Sequence, residues 1–230
     1  MTLLTSLRVN VKLSGVARYE RSVSRLAAAA RADSKAAEWR ASISTGAEGI
    51  VYVFGQMAAS YAELLGREPL PVLARRLLGE SAGDDFFEEG AEHVQATSFS
   101  IRRLREELST ITLPLKDAPA LVYVTRIQAR SGGQGAVENL IRSVTDASQK
   151  IGAPRRITVS STAIGEQGEY YIVRPIQDPA ELDRMKTPAE VLVEAFGEKE
   201  GNAILAQSAS ALERVTTILA TPRPDLSNVR

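Results

Sequence analysis

The chain has 230 residues, 44% of them hydrophobic and 24% charged, with 28 basic and 28 acidic side chains and a formal net charge of zero. This balance leaves no basic field to draw in nucleic acid or an anionic membrane surface. The absence of cysteine excludes disulfides, thiolate catalysis and thiolate metal sites.

In chain order, Leu3–Leu13 alternates. Leu7, Val9, Val11 and Leu13 fall on one face, and Arg8, Asn10 and Lys12 on the other, which predicts a half-buried strand. Tyr19, Val23, Leu26 and Ala30 then recur at helical spacing over about 17–31. Trp39–Ser44 is strand-like, with Trp39 read as core. A glycine-bearing turn over Thr45–Gly49 leads into the strand Ile50–Phe54. Short helical pieces follow at 60–65 and 70–78, closed by Gly79 as a C-cap, with a further helix from near Asp84. Thr97–Leu104 is a last strand. Beyond it, Thr110–Pro119 forms a short linker with two prolines.

The same elements then recur: strand 121–130, helix 136–149, strand 157–162, turn 164–168, strand 170–173, helical pieces 179–185 and 188–196, a helix from near Gly201, and strand 215–221. A constant offset of 118 maps Gly79, Glu80 and Gly83 onto Gly197, Glu198 and Gly201. It also maps Arg8 onto Arg126, Glu20 onto Glu138, and Arg105, Leu108 and Ser109 onto Arg223, Leu226 and Ser227. At the third strand the alignment is open by one residue, which leaves the pairing of the tyrosines unassigned.

One register over the whole chain predicts one supersecondary unit built twice. The expected division is 1–112 and 119–230, joined by 113–118. The order β-α-β-β-α-β is that of the ferredoxin-like unit. The expected fold is α+β: two antiparallel four-stranded sheets packed as an α+β barrel. With no cationic leader and no apolar run beyond Leu26–Ala30, the expected location is cytoplasmic, off the membrane. The tail Arg223–Arg230 is expected to be left over to reach neighbouring copies, giving a homo-oligomer.

On element order and duplication, the chain resembles the dimeric α+β barrel proteins, among them antibiotic-biosynthesis monooxygenase-like proteins and the tandem chlorite dismutase-like haem proteins. The resemblance covers nearly the whole chain. It implies functions as different as cofactor-free oxygenation, haem binding and isomerisation, so it carries no single activity. A helical histidine binds iron in the haem-binding members, which makes His93, the single histidine here, the candidate haem ligand. Its counterpart at the 118 offset is Ala211.

The polar sheet face supplies the other candidates. Arg8 and Lys12 match Arg126 and Arg130 in register, and Arg40 lies on the second strand. Facing away from the helices, these cations suit an anionic ligand. On the bland reading they are solvated or paired with acids. Tyr52, Phe54, Tyr170 and Tyr171 are the strand aromatics; Tyr52 and Tyr171 are taken with the cations as ligand contacts. The glycine-rich run Arg130–Gly135 lacks the phosphate-loop spacing and reads as a turn. The acidic run Asp84–Glu92 reads as a solvated helix.

The expected function is that of a small-molecule-binding barrel for an anionic or aromatic ligand, in the manner of a cofactor-free monooxygenase or an isomerase. No cofactor is expected. The alternatives are a non-catalytic assembly protein and a haem protein using His93. No general base stands out.

Overall fold

In the computed structural model, which describes residues 1–46, 49–115 and 118–229, the chain forms two compact units. Unit 1 is Met1–Arg103 with Ala220–Arg230, and unit 2 is Leu104–Leu219. The turn expected over Thr45–Gly49, the linker 113–118 and the tail end at Arg230 fall partly outside the described residues.

Unit 1 contains β1 (Leu3–Val11), α1 (Val16–Ala32), β2 (Arg40–Gly46), β3 (Gly49–Ala58), α2 (Tyr61–Leu65), α3 (Leu70–Leu78), α4 (Glu80–His93) and β4 (Val94–Leu104). The same order returns as β5 (Leu121–Ala129), α5 (Gln134–Lys150), β6 (Thr158–Ile164), β7 (Glu169–Ile176), α6 (Pro188–Phe196), α7 (Glu198–Ala209) and β8 (Leu212–Pro222). The hydrogen-bonded strand order is β1-β3-β2-β8-β5-β7-β6-β4 and returns to its start, the connectivity of a closed barrel. Each half of that order, 4-1-3-2 and 8-5-7-6, is the ferredoxin-like arrangement.

Several elements are longer than expected, β3 reaching Ala58, α4 starting at Glu80 and β4 at Val94, and two differ in kind. Strand β1 stops at Val11, and Leu13 sits in a 3₁₀ turn with 81% of its surface exposed. Lys12 N–H bonds the His93 carbonyl there, pulling the chain toward α4 and out of the ladder. Residues 179–185 form a 3₁₀ turn over Pro179–Glu181 rather than a helix. Its capping box, Asp178 with Glu181, starts the turn, and the backbone bonds that follow, Leu182 N–H to the Pro179 carbonyl and Met185 N–H to the Leu182 carbonyl, span three residues rather than the four of an α-helix.

Side-chain alternation decides the layers. Val9 and Val11 of β1 pack with Tyr52 of β3 against Tyr19 and Val23 of α1. Ile127 and Ala129 of β5 pack with Tyr170 of β7 against Val137 and Ile141 of α5. The repeated Gly-Glu-x-x-Gly segment has a steric cause. A Cβ on Gly83 would lie 2.6 Å from Arg75 Cα, and one on Gly201 would lie 2.8 Å from Val193 N. Helices α3 and α4, and likewise α6 and α7, cross too closely there for any side chain. Gly79 and Gly197, each turning one helix into the next, sit at φ of 90° and 85°.

The Arg-x-x-Leu-Ser tails are core, and this corrects the expectation that residues after Arg223 are left over. Arg223 N–H bonds the Ala41 carbonyl at 2.8 Å, and Ala41 N–H bonds Ser227 Oγ at 2.9 Å. Leu226 is fully buried with Val9, Tyr19 and Tyr52. In unit 2, Arg105 N–H bonds the Val159 carbonyl at 2.8 Å, Val159 N–H bonds Ser109 Oγ at 2.9 Å, and Leu108 is buried beside Ile127. An apolar side chain and two backbone bonds outweigh the entropy of a free end.

Candidate functional site: an apolar cavity in unit 1

Unit 1 holds a cavity of about 630 Å³ between its sheet and helices α1, α3 and α4. Its floor is set by register. Thr5 faces Gln56, and Leu7 is flanked by Phe54 on β3 and Phe99 on β4. With Val9 and Thr97, these share the face that alternation assigns to the apolar side of β1. The roof is helical periodicity. Tyr19, Val23 and Leu26 come from one stripe of α1, Leu70 and Leu73 from α3, and Phe86, Phe87, Gly90 and Ala91 from α4. Gly90 leaves room, because no heavy atom lies within 4 Å of where its Cβ would be. Phe99, 56% exposed, and Leu70 mark the mouth.

The cavity is aromatic, with few polar groups. Trp39 lines it, oriented by its indole N–H to the Leu226 carbonyl at 2.8 Å. Tyr19 stacks at 4.9 Å and 49° on Tyr52. Burial, reinforced by Tyr52, raises the Tyr19 phenol above the usual tyrosine range, so it stays a neutral donor at physiological pH. Tyr52 is itself held by its hydroxyl to Glu20 Oε1 at 2.6 Å, and Arg223 donates to the same carboxylate. That arginine holds the Glu20 carboxyl below its ordinary range.

Unit 2 repeats the anchor and not the cavity wall. Tyr170 donates to Glu138 at 2.9 Å, and Arg105 donates to Glu138 at 2.6 Å. The pairing left open by sequence is thus Tyr52 with Tyr170, whose phenol burial and Glu138 push up to about 12. The counterparts of Tyr19, Phe54, Phe86, Phe87 and Phe99 are Val137, Ile172, Ile204, Leu205 and Thr217.

The residues singled out from sequence are spread over both units. Arg8 is half-buried on β1, opposite the cavity face. Lys12 is exposed and donates to the Glu92 carbonyl at 2.7 Å. Arg40 is exposed at the start of β2. Tyr52 braces Tyr19 from behind the cavity. Arg126 and Tyr171 do meet, on the buried carboxylate of Glu169: Arg126 donates to it, and the Tyr171 hydroxyl donates at 3.1 Å. Arg126 also bonds Glu166 at 3.0 Å. Arg130 is exposed, with Nε 3.2 Å from the Leu212 carbonyl. His93, the last residue of α4, lines a separate cleft of about 290 Å³ with Arg18, Arg21 and Arg25. Among the described residues, no group of three or more His, Asp and Glu side chains could hold a metal ion.

Sequence reasoning placed Tyr19 and Trp39 in the core and missed Phe86, Phe87, Phe99 and Gln56 as site residues. A signal was present: four of the five phenylalanines and the single tryptophan lie in the first repeat. Periodicity searches for faces and does not register such an imbalance.

No family model matches the chain, and no curated protein matches it in sequence. Solved structures do. A protein assigned as a monooxygenase from Fusobacterium nucleatum matches with a TM-score of 0.58 at 6% identity, over 96% of this chain and 92% of that one. An anthrone oxidase-like protein matches with a TM-score of 0.58 at 11% identity, over 100% and 94%. Chlorite dismutase from Candidatus Nitrospira defluvii, in complex with imidazole, matches with a TM-score of 0.52 at 8% identity, over 97% and 92%. Together with the strand order, these show an α+β barrel of ferredoxin-like fold.

Proposed function

We propose that unit 1 binds a planar, mainly apolar small molecule in its cavity, and that the bound molecule is oxidised there in the manner of a cofactor-free monooxygenase. The observation that carries this reading is the cavity itself. Its roughly 630 Å³ lies within the range of ligand sites, about 300–1,000 Å³. Its lining is aromatic, and Tyr19 offers a neutral hydroxyl that would orient a carbonyl or phenolate oxygen. The anthrone oxidase-like and monooxygenase-assigned neighbours support the oxidative part of the reading by fold alone.

Trp39 provides the test, because it is the single tryptophan and lies in the wall. Anthrone and a panel of polycyclic phenols are titrated while Trp39 emission is followed. Saturable quenching is expected, and it is expected to vanish in Gly90→Leu, which fills the cavity and gains about 1 kcal/mol of helix propensity. No saturable quenching with any member of the panel overturns the reading. Oxygen uptake with anthrone, one O₂ giving anthraquinone and water, separates the oxidase from a binding protein.

We further infer that repeats 1–112 and 119–230, joined by 113–118, descend from one duplicated unit, on the strength of the matched Glu20–Tyr52 and Glu138–Tyr170 pairs. No helix among the described residues is long and apolar enough to cross a membrane, and the cysteine-free composition suits a cytoplasmic protein. Self-association is supported by the exposed apolar side chains of Phe99, Val215 and Leu219; sedimentation tests it.

A further inference from the structure

Unit 2 departs from unit 1 at one end of its sheet. Where unit 1 carries Thr5, Gln56 and Ala37, the 118 offset places Tyr123, Arg174 and Arg155. Tyr123 and Arg174 lie directly opposite on β5 and β7. They stand on the face that carries Ile127 and Tyr170, the face covered by α5. Arg155 comes from the connection between α5 and β6. Its backbone is pinned on both sides: the Thr110 hydroxyl donates to its carbonyl at 2.5 Å, and its N–H reaches Ser148 Oγ at 3.4 Å. Its guanidinium donates to the Lys186 carbonyl at 2.7 Å.

The two arginines are poorly neutralised. Among the described residues, the one acid paired with Arg174 is Glu181, at 3.7 Å. That carboxylate already accepts from the N–H groups of Gln177 at 2.9 Å and Asp178 at 3.1 Å. Arg174 Nε is buried with no acceptor among the described residues. Burial and the Arg174 charge hold the Arg155 guanidinium below the usual arginine range, and Tyr123 opposes this. Two half-buried cations, with one committed acid, raise the free energy of the fold. Nothing in the duplicated architecture requires them, since unit 1 builds the same corner with an alanine and a glutamine.

We propose that Arg155, Arg174 and Tyr123 form an oxyanion site in unit 2 that takes a carboxylate- or phosphate-bearing small molecule. The planar guanidinium of Arg174 presents its orphaned Nε–H as one arm of a fork, Arg155 supplies a second charge, and the Tyr123 hydroxyl a neutral donor. The bound anion would neutralise the pair and satisfy the buried donor. The site is independent of the cavity in unit 1 and of the ligand proposed there.

The test is thermal unfolding of the full chain by calorimetry in low-salt buffer, with inorganic phosphate or acetate against sodium chloride at equal ionic strength. At ten times its Kd, a specific anion is expected to raise the wild-type Tm by about 3 °C. The shift is expected to disappear in Arg155→Ala and in Arg174→Gln. In Arg174→Lys, which keeps the charge and loses the fork, it is expected to shrink while the fold is retained. A larger shift with phosphate than with acetate assigns a phosphate-bearing ligand, and the reverse a carboxylate. No shift in the wild type, or an equal shift in the arginine variants, overturns the proposal. Trp39 quenching reads the other unit and is unaffected by either result.

Discussion

Arg105 donates to Glu138 at 2.6 Å across 33 residues, and the same bond joins Arg223 to Glu20 in the other unit. In both places the acid also takes the hydroxyl of a buried tyrosine, so one carboxylate ties a tail, a helix and a strand. Glu20→Gln and Glu138→Gln are each expected to cost about 1–3 kcal/mol, since each removes charge-assisted bonds from a largely buried partner. Double-mutant cycles with Arg223→Ala and Arg105→Ala should show coupling above about 0.5 kcal/mol within each pair. Urea unfolding measures both.

The same two carboxylates determine an acid limb. Both are held below their ordinary range, chiefly by the arginine bond. Because the folded value lies under the unfolded one, about 4.3, their contribution is fully present above that pH. It is lost as pH falls through the folded value. Stability measured by urea midpoint is expected to hold from pH 7 to about 5 and to drop below about 4. The drop should be shallower in the double variant Glu20→Gln/Glu138→Gln.

The glycines separate by what surrounds them. Gly83→Ala and Gly201→Ala force a methyl into backbone at under 3 Å and are expected to cost at least about 1–3 kcal/mol each. Gly135, in the first turn of α5, meets nothing within 4 Å. Gly135→Ala is expected to stabilise by about 0.4–1 kcal/mol through the unfolded state. Tm values of the three variants give the comparison.

Tyr19→Phe keeps the ring against Tyr52 and removes the hydroxyl of a residue that lines the cavity. Its stability is expected to stay within about 1 kcal/mol of wild type. Affinity for ligands bearing a carbonyl or phenol should fall about three- to tenfold, with hydrocarbon analogues unchanged. Trp39 quenching reads each affinity.

Periodicity made the strands, the long helices α1 and α5 and the recurring order of elements legible, because alternation and helical spacing are local properties of the chain. Gly79 and Gly197 were legible as caps, since a positive φ leaves few other residues possible. The close crossing at Gly83 and Gly201 was visible as a repeated motif without its cause, which lies in another helix. The fate of Leu108 and Leu226 was not legible: a short polar-flanked tail reads as surplus until a core with a gap for leucine is in view. The cavity was hidden for a similar reason. It depends on Gly90 failing to fill a space bounded by Tyr19 and Phe86, and empty volume has no period.

The placement of the tails also sets an order in time. Unit 2 is one unbroken stretch of chain, whereas unit 1 receives its last pieces, Leu226 and Arg223 among them, from Ala220–Arg230. As the polypeptide leaves the ribosome from its N-terminus, the sheet of unit 1 appears first and waits with an unfilled core. Unit 2, synthesised later, has everything it needs sooner. The N-terminal half is therefore the last to close, and a chain truncated after Pro222 keeps all of β8 and leaves the first unit without Arg223 and Leu226.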